Sequence, residues 1–157
     1  MMHIPFVVDG EFSPVREIKK EIVGFSIEQM QNGVPVSLEI ARRDGSALRI
    51  TNKMHDIFER TEIGCLSFKV VKLSSENNQF NKFYRVELKN FIVLKLSYFY
   101  NGISVDCGVL LKEYDNKNNI IICPGVYPYS LFIEWPGVVN MGDMEYEFSE
   151  YKLSKYN

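Results

Sequence analysis

The stretch that decides the fold runs from Ile92 to Leu111, IVLKLSYFYNGISVDCGVLL, with Asn101-Gly102 at its centre. Asn-Gly is the preferred pair for a two-residue hairpin loop, because both positions must take up positive φ. Folded there, the ribbon sets Tyr100 opposite Ile103, Tyr98 opposite Val105 and Leu96 opposite Cys107. The same register carries on to Leu94 with Val109 and Ile92 with Leu111. Side chains alternate along a strand, so all ten are expected on one face. A slip of one residue would oppose Tyr100 to Ser104 and Leu96 to Gly108, so the apolar pattern specifies the register.

Upstream, a second set of turns obeys the same logic. With Asn32-Gly33 as a two-residue loop, Ile27 pairs with Leu38 and Phe25 with Ile40. With Arg43-Asp44-Gly45 as a three-residue loop, Ile40 meets Leu48, Leu38 meets Ile50, and Glu39 meets Arg49 on the other face. Both turns leave Phe25, Ile27, Leu38, Ile40, Leu48 and Ile50 on one face, which predicts a three-stranded meander from Val23 to Thr51.

Between and beyond these hairpins the signals are more local. Asn52 to Glu62 carries Met54, Ile57 and Phe58 at helical spacing behind an N-cap residue, Asn52, and predicts a short helix. Residues 63–73 return to strand periodicity, with Leu66, Phe68 and Val70 on one face. A polar loop at 74–81 is where two subdomains would join if the chain had two; at this length one domain spanning 1–157 is the expectation. A turn at Lys89-Asn90 would bring Leu88 to Phe91 and Val86 to Val93. A further turn at Asp115–Asn119 precedes Ile120-Ile121-Ile122, and both 127–135 and 144–149 alternate. Arg16 to Ile22 fits a helix and a strand about equally.

These readings predict a mainly β protein: antiparallel hairpins and a meander forming a sandwich or partly closed barrel, with one or two short helices. The alternative is an α+β arrangement with a helix packed across a curved sheet. The chain has 157 residues, enough to bury a core without staples, and its 13% aromatic content suits strands. Three cysteines, Cys65, Cys107 and Cys123, are odd in number and lack metal or redox spacing, which points to a reducing cytoplasm and buried thiols. The first residues show no basic segment followed by a long apolar one, so no leader is expected. The longest stretch without Asp, Glu, Lys or Arg, Asn118 to Ile133, contains Pro124, Gly125 and Pro128 and does not read as a membrane span.

The usual catalytic patterns are absent. Gly-x-Ser-x-Gly, Cys-x-x-Cys, His-x-x-x-His and glycine-rich phosphate loops do not occur, so neither a metal nor another cofactor is expected. His3 lies near the start of the chain and is expected to be mobile; His55, beside Asp56, is the general base that a small enzyme built on this chain would use. A net charge of −2 without a concentrated basic patch argues against nucleic acid, and the doublets Lys19-Lys20 and Arg42-Arg43 read as surface.

Charge is nevertheless unevenly placed. Residues 118–151 contain no Lys, Arg or His but five acids, Glu134, Asp143, Glu145, Glu147 and Glu150. The same segment holds Tyr127, Tyr129, Phe132, Trp135, Tyr146, Phe148 and Tyr151. Acids interleaved with Tyr and Trp can attract a basic partner and then anchor it, which nominates Tyr127, Tyr129, Glu134, Trp135, Asp143, Glu145, Tyr146 and Glu147 as partner-binding residues. Alternation in a half-buried sheet would produce the same pattern, with the aromatics as core and the acids as its solvated side.

In size, charge pattern and missing catalytic machinery the chain resembles the immunity proteins of bacterial toxin systems, a class without a common motif. That resemblance implies a non-enzymatic cytosolic domain that neutralises a basic toxin domain, such as a nuclease. Two other functions fit the composition. One is a small-molecule binder with Tyr98, Tyr100 and Trp135 lining a barrel mouth, and the other is an enzyme using His55.

Overall fold

The structure is a computed structural model that describes residues 2–59, 61–72, 82–114 and 118–157. Two short strands, β1 (Met2–Ile4) and β2 (Val7–Asp9), open it and part to different sheets. The helix α1 (Pro14–Ile18) follows, with Pro14 in its first turn and the Ser13 hydroxyl accepting from the Arg16 N–H. The meander then forms from β3 (Ile22–Gln29), β4 (Pro35–Arg42) and β5 (Ser46–Phe58), continuing into β6 (Thr61–Lys72) and, after the undescribed residues 73–81, β7 (Phe83–Leu88). These make a six-stranded sheet in the order β2-β6-β5-β4-β3-β7, antiparallel except for β2 on β6.

The second sheet is built from β8 (Phe91–Tyr100), β9 (Ile103–Glu113), β10 (Asn119–Pro124), β11 (Leu131–Trp135), β12 (Val139–Met141) and β13 (Lys152–Lys155). Its order is β12-β11-β10-β9-β8-β13, with β1 added in parallel beside Ile103–Val105. The sheets close no barrel. They stack as a sandwich around one buried cluster drawn from both.

The meander strands pair as predicted, Ile27 with Leu38, Phe25 with Ile40, Ile40 with Leu48 and Glu39 with Arg49. Asn32-Gly33, however, is not a two-residue loop: a register shift sets Gln29 opposite Pro35, the Met30 N–H donates to Val34 O, and of the pair Gly33 alone takes positive φ. Asn101 and Gly102 both adopt positive φ, 47° and 77°, as a two-residue turn requires, and Tyr100 meets Ile103. The expected register then breaks. Ser97 pairs with Asp106, but Leu96 pairs with Gly108, and Cys107 is the extra residue of a β-bulge. Beyond it Val109 faces Lys95 and Leu111 faces Val93, so the ten apolar residues do not share one face. Tyr100, Tyr98 and Leu96 point outward, while Val109 and Leu111 join Ile120, Ile122, Ile133 and Trp135 on the face between the sheets. The stack of Trp135 on Phe25, 4.5 Å between centroids, identifies that inner face. Both registers contemplated for the hairpin occur, one on each side of the bulge.

Three other expectations are corrected. Residues 52–58 are not helical: β5 runs on to Phe58 and pairs with β6 from Ser46–Lys72 to Phe58–Thr61. A bulge between Asp56 and Phe58 interrupts the alternation and buries Ile57, which mimics helical spacing over a few residues. Lys89-Asn90 is a crossing between sheets rather than a hairpin, since β7 pairs with β3 and β8 with β9 and β13. Residues 144–149 form no strand; a single bridge, Gly125 with Met144, and a 3-10 turn at Phe148–Glu150 replace it. The polar loop 74–81 and part of the turn at 115–119 lie outside the described residues.

Arg42, expected at the surface, is buried. Its guanidinium donates to the Glu17 carbonyl at 2.9 Å, the Glu17 carboxylate at 3.0 Å and the Ser46 hydroxyl at 2.7 and 3.0 Å. Every one of these bonds compensates a desolvated charge, and together they pin α1 to the β4–β5 turn.

Candidate functional site

The loop between β10 and β11 is the most exposed apolar feature of the acidic segment. Val126, Tyr127 and Tyr129 are 51, 60 and 61% exposed, although Gly125 and Ser130 on either side are buried. The base of the loop is closed by Gly125 N–H to Ser130 O at 2.9 Å and by Ser130 N–H to Tyr127 O at 3.0 Å. The Ser130 hydroxyl donates to Tyr127 O at 2.6 Å, and the buried Asn52 amide donates to Ser130 O at 2.9 Å. Asn52, expected as a helix cap, thus braces this loop from the other sheet, and its Oδ1 also accepts from the Cys65 N–H. Tyr129 sits at φ 65°, a strained conformation for an aromatic residue. The result is a tip held rigid from below with two tyrosines in solvent.

The segment 142–151 lies against this loop. Val126 N–H donates to Asp143 O at 2.8 Å, and Glu145 N–H to Pro124 O at 3.1 Å. Asp143 and Glu147 are exposed and Glu134 is partly so; none of the three forms an ion pair among the described residues. Glu145 turns inward instead, its carboxylate accepting the Gly64 N–H at 3.1 and 3.3 Å. Burial pushes that carboxyl up to about 7, against the smaller opposing effect of the Gly64 bond. Gly64 is required there: a Cβ would stand 2.5 Å from that of Pro124.

Of the eight nominated residues, Tyr127, Tyr129, Asp143 and Glu147 are exposed. Tyr146 is half-buried, stacked on Tyr98 at 3.8 Å and edge-on to Tyr151. Trp135 is 3% exposed and belongs to the core. Because Trp135 faces the other sheet while Tyr98 and Tyr100 face outward, these three line no common cavity mouth.

His55 is a strand residue paired with Ile63, and its Nε2 is buried without a hydrogen-bond partner among the described residues. The three thiols are all buried. Burial raises the Cys65 thiol to about 12 and holds those of Cys107 and Cys123 well above their usual range. Among the described residues no group of three or more His, Cys, Asp or Glu is arranged to hold a metal ion.

Sequence reasoning missed one polar cluster. Asp106, buried on β9, receives His3 Nε2 at 3.0 Å, Ser97 Oγ at 3.2 Å and Lys95 Nζ at 3.5 Å. Far from being mobile, His3 sits on β1 opposite Ser104. Ser97 and Lys95 donate to Asp106 rather than to the imidazole, so the serine is not activated as in a Ser-His-Asp system. The cluster clamps β1 to the sheet. The alternation Lys95-Leu-Ser97 opposite Asp106 was visible in the sequence, but β1's parallel docking was not.

No helix among the described residues is long and apolar enough to cross a membrane. No family model matches the chain, and neither the curated proteins nor the solved structures contain a significant match to it.

Proposed function

We propose that this chain is a non-enzymatic, protein-binding domain of immunity type, which acts in the cytoplasm and neutralises a basic toxin domain such as a nuclease. The observation that carries the reading is the braced loop with Tyr127 and Tyr129 exposed at its tip, beside Asp143 and on a segment without a basic residue. A tyrosine offers large contact area at small entropic cost, and a tip already ordered adds little more on binding. Asp143, Glu147 and Glu134, which form no ion pair among the described residues, would speed encounter with a basic surface and disfavour acidic ones. Glu145 and Tyr146 fasten the neighbouring segment through Gly64 and Tyr98, and Trp135 belongs to the core rather than to this surface. No nucleic acid, membrane or cofactor enters the proposal.

Affinity capture from the native cells, followed by reconstitution with the purified partner, tests it. A basic partner is expected, bound with marked salt sensitivity. Tyr127→Ala with Tyr129→Ala should weaken the complex at least tenfold, and Asp143→Lys with Glu147→Lys should slow association. Recovery of no basic partner, with unchanged binding after charge reversal, would remove the proposal.

A further inference from the structure

The segment 142–151 crosses the end of the sandwich with few fastenings. Its backbone is held by the bonds of Asp143 and Glu145 to the loop and β10 and by the Met144 bridge to Gly125. Its aromatic side chains cover Tyr98 on the outward face. Among the described residues its hydrogen bond to β6 comes from Glu145, through a carboxylate that accepts one backbone N–H.

We propose that Glu145 is the latch of this segment: neutral, it stays docked against Gly64, and on ionising it leaves, so that 142–151 lifts from the outward face of the seven-stranded sheet.

The surroundings of the carboxyl support neither charge nor its dispersal. β8 contributes Tyr98, β9 Cys107 and β10 Cys123, while the segment itself adds Tyr146, Tyr151 and Glu150. These are neutral groups, or in the case of Glu150 one of like sign. The charged or titratable residues around Gly64 on the β5–β6 hairpin, Lys53, His55, Asp56 and Glu62, form no ion pair with Glu145. A single neutral donor does not repay the desolvation of a carboxylate. With the docked carboxyl at about 7 and the free one at 4.5, the docked form is fully favoured below about 4.5. It loses that support as pH rises to about 7, and opening then levels off. The opening equilibrium should grow on the order of a hundredfold across this window. Opening uncovers Cys107, Cys123 and Tyr151 and displaces Asp143 and Glu147; only the consequence of that displacement for partner affinity rests on the binding function proposed above.

Hydrogen exchange of the full chain between pH 5 and 8, corrected for intrinsic rates, tests the latch. The amides of Val126 and Glu145 should lose protection on the order of a hundredfold relative to those of β8 and β9, and the E145Q variant should show no such fall. A flat profile for the unaltered protein, or an equal fall in E145Q, overturns the proposal. Carboxyl-detected NMR of the unaltered protein gives an independent reading should E145Q fold poorly. Glu145 should titrate near 7, and a midpoint near 4.5 overturns the proposal as well. No partner enters either measurement, so the latch and the binding function stand or fall separately.

Discussion

Phe25 on β3 and Trp135 on β11 stack across the sandwich, with 4.5 Å between ring centroids and 20° between their planes. The contact joins the meander to the sheet of the Asn101-Gly102 hairpin, and Tyr84 stacks on the same Phe25 ring at 4.9 Å. Trp135→Ala should therefore cost about 3–5 kcal/mol of stability, a fall in thermal midpoint on the order of 10 °C. Calorimetry distinguishes this from a binding anchor, whose loss would leave the midpoint in place and lower affinity.

Arg42 and Glu17 depend on each other. Glu17→Ala should destabilise by about 3–5 kcal/mol, because it leaves a guanidinium buried without its carboxylate. The double substitution Arg42→Met with Glu17→Leu should recover most of that loss. Urea denaturation of Arg42→Met, Glu17→Leu and the double gives the coupling directly.

Tyr129 sets stability against the proposed binding. Replacing it by glycine removes the positive-φ penalty and should raise stability by about 1 kcal/mol, while affinity for the partner falls. Tyr129→Ala keeps the strain and should lose affinity without the gain. Equal stabilities for the two variants would show that the backbone there is unstrained.

The thiols should be silent in the native protein. With Cys65 held near 12 and Cys107 and Cys123 raised by burial, the thiolate fraction at pH 8 is very small. A disulfide reagent should find no rapidly reacting thiol at pH 5, where the segment 142–151 is docked, and three in denaturant. Raising the pH to 8 should accelerate reaction of Cys107 and Cys123 as the segment opens, and leave Cys65 slow. A fast native thiol would contradict this packing.

Much of the fold could be read locally. Gly33, Gly45 and Asn101-Gly102 supply the positive φ their turns need, and the flanking apolar residues fix much of the register, except where bulges shift it beside Gln29 and at Cys107. The site was legible in part. Tyr127, Tyr129, Asp143 and Glu147 are exposed as expected, but Trp135 and Glu145 turn inward, because composition records which residues share a segment and not which way each one faces.

From its residues alone the chain determined its β character, its three tight turns and the one-sided charge of 118–151, since all of these depend on neighbours a few positions apart. Tertiary structure decided the rest. The bulge at Cys107 turns Val109 and Leu111 to the inner face, the crossing at Lys89-Asn90 splits β7 from β8, and Asn52 braces a loop 78 residues away. Each outcome is set by pairing between distant strands, and the energy of burying both faces of β9 outweighs the local preference for an unbroken register.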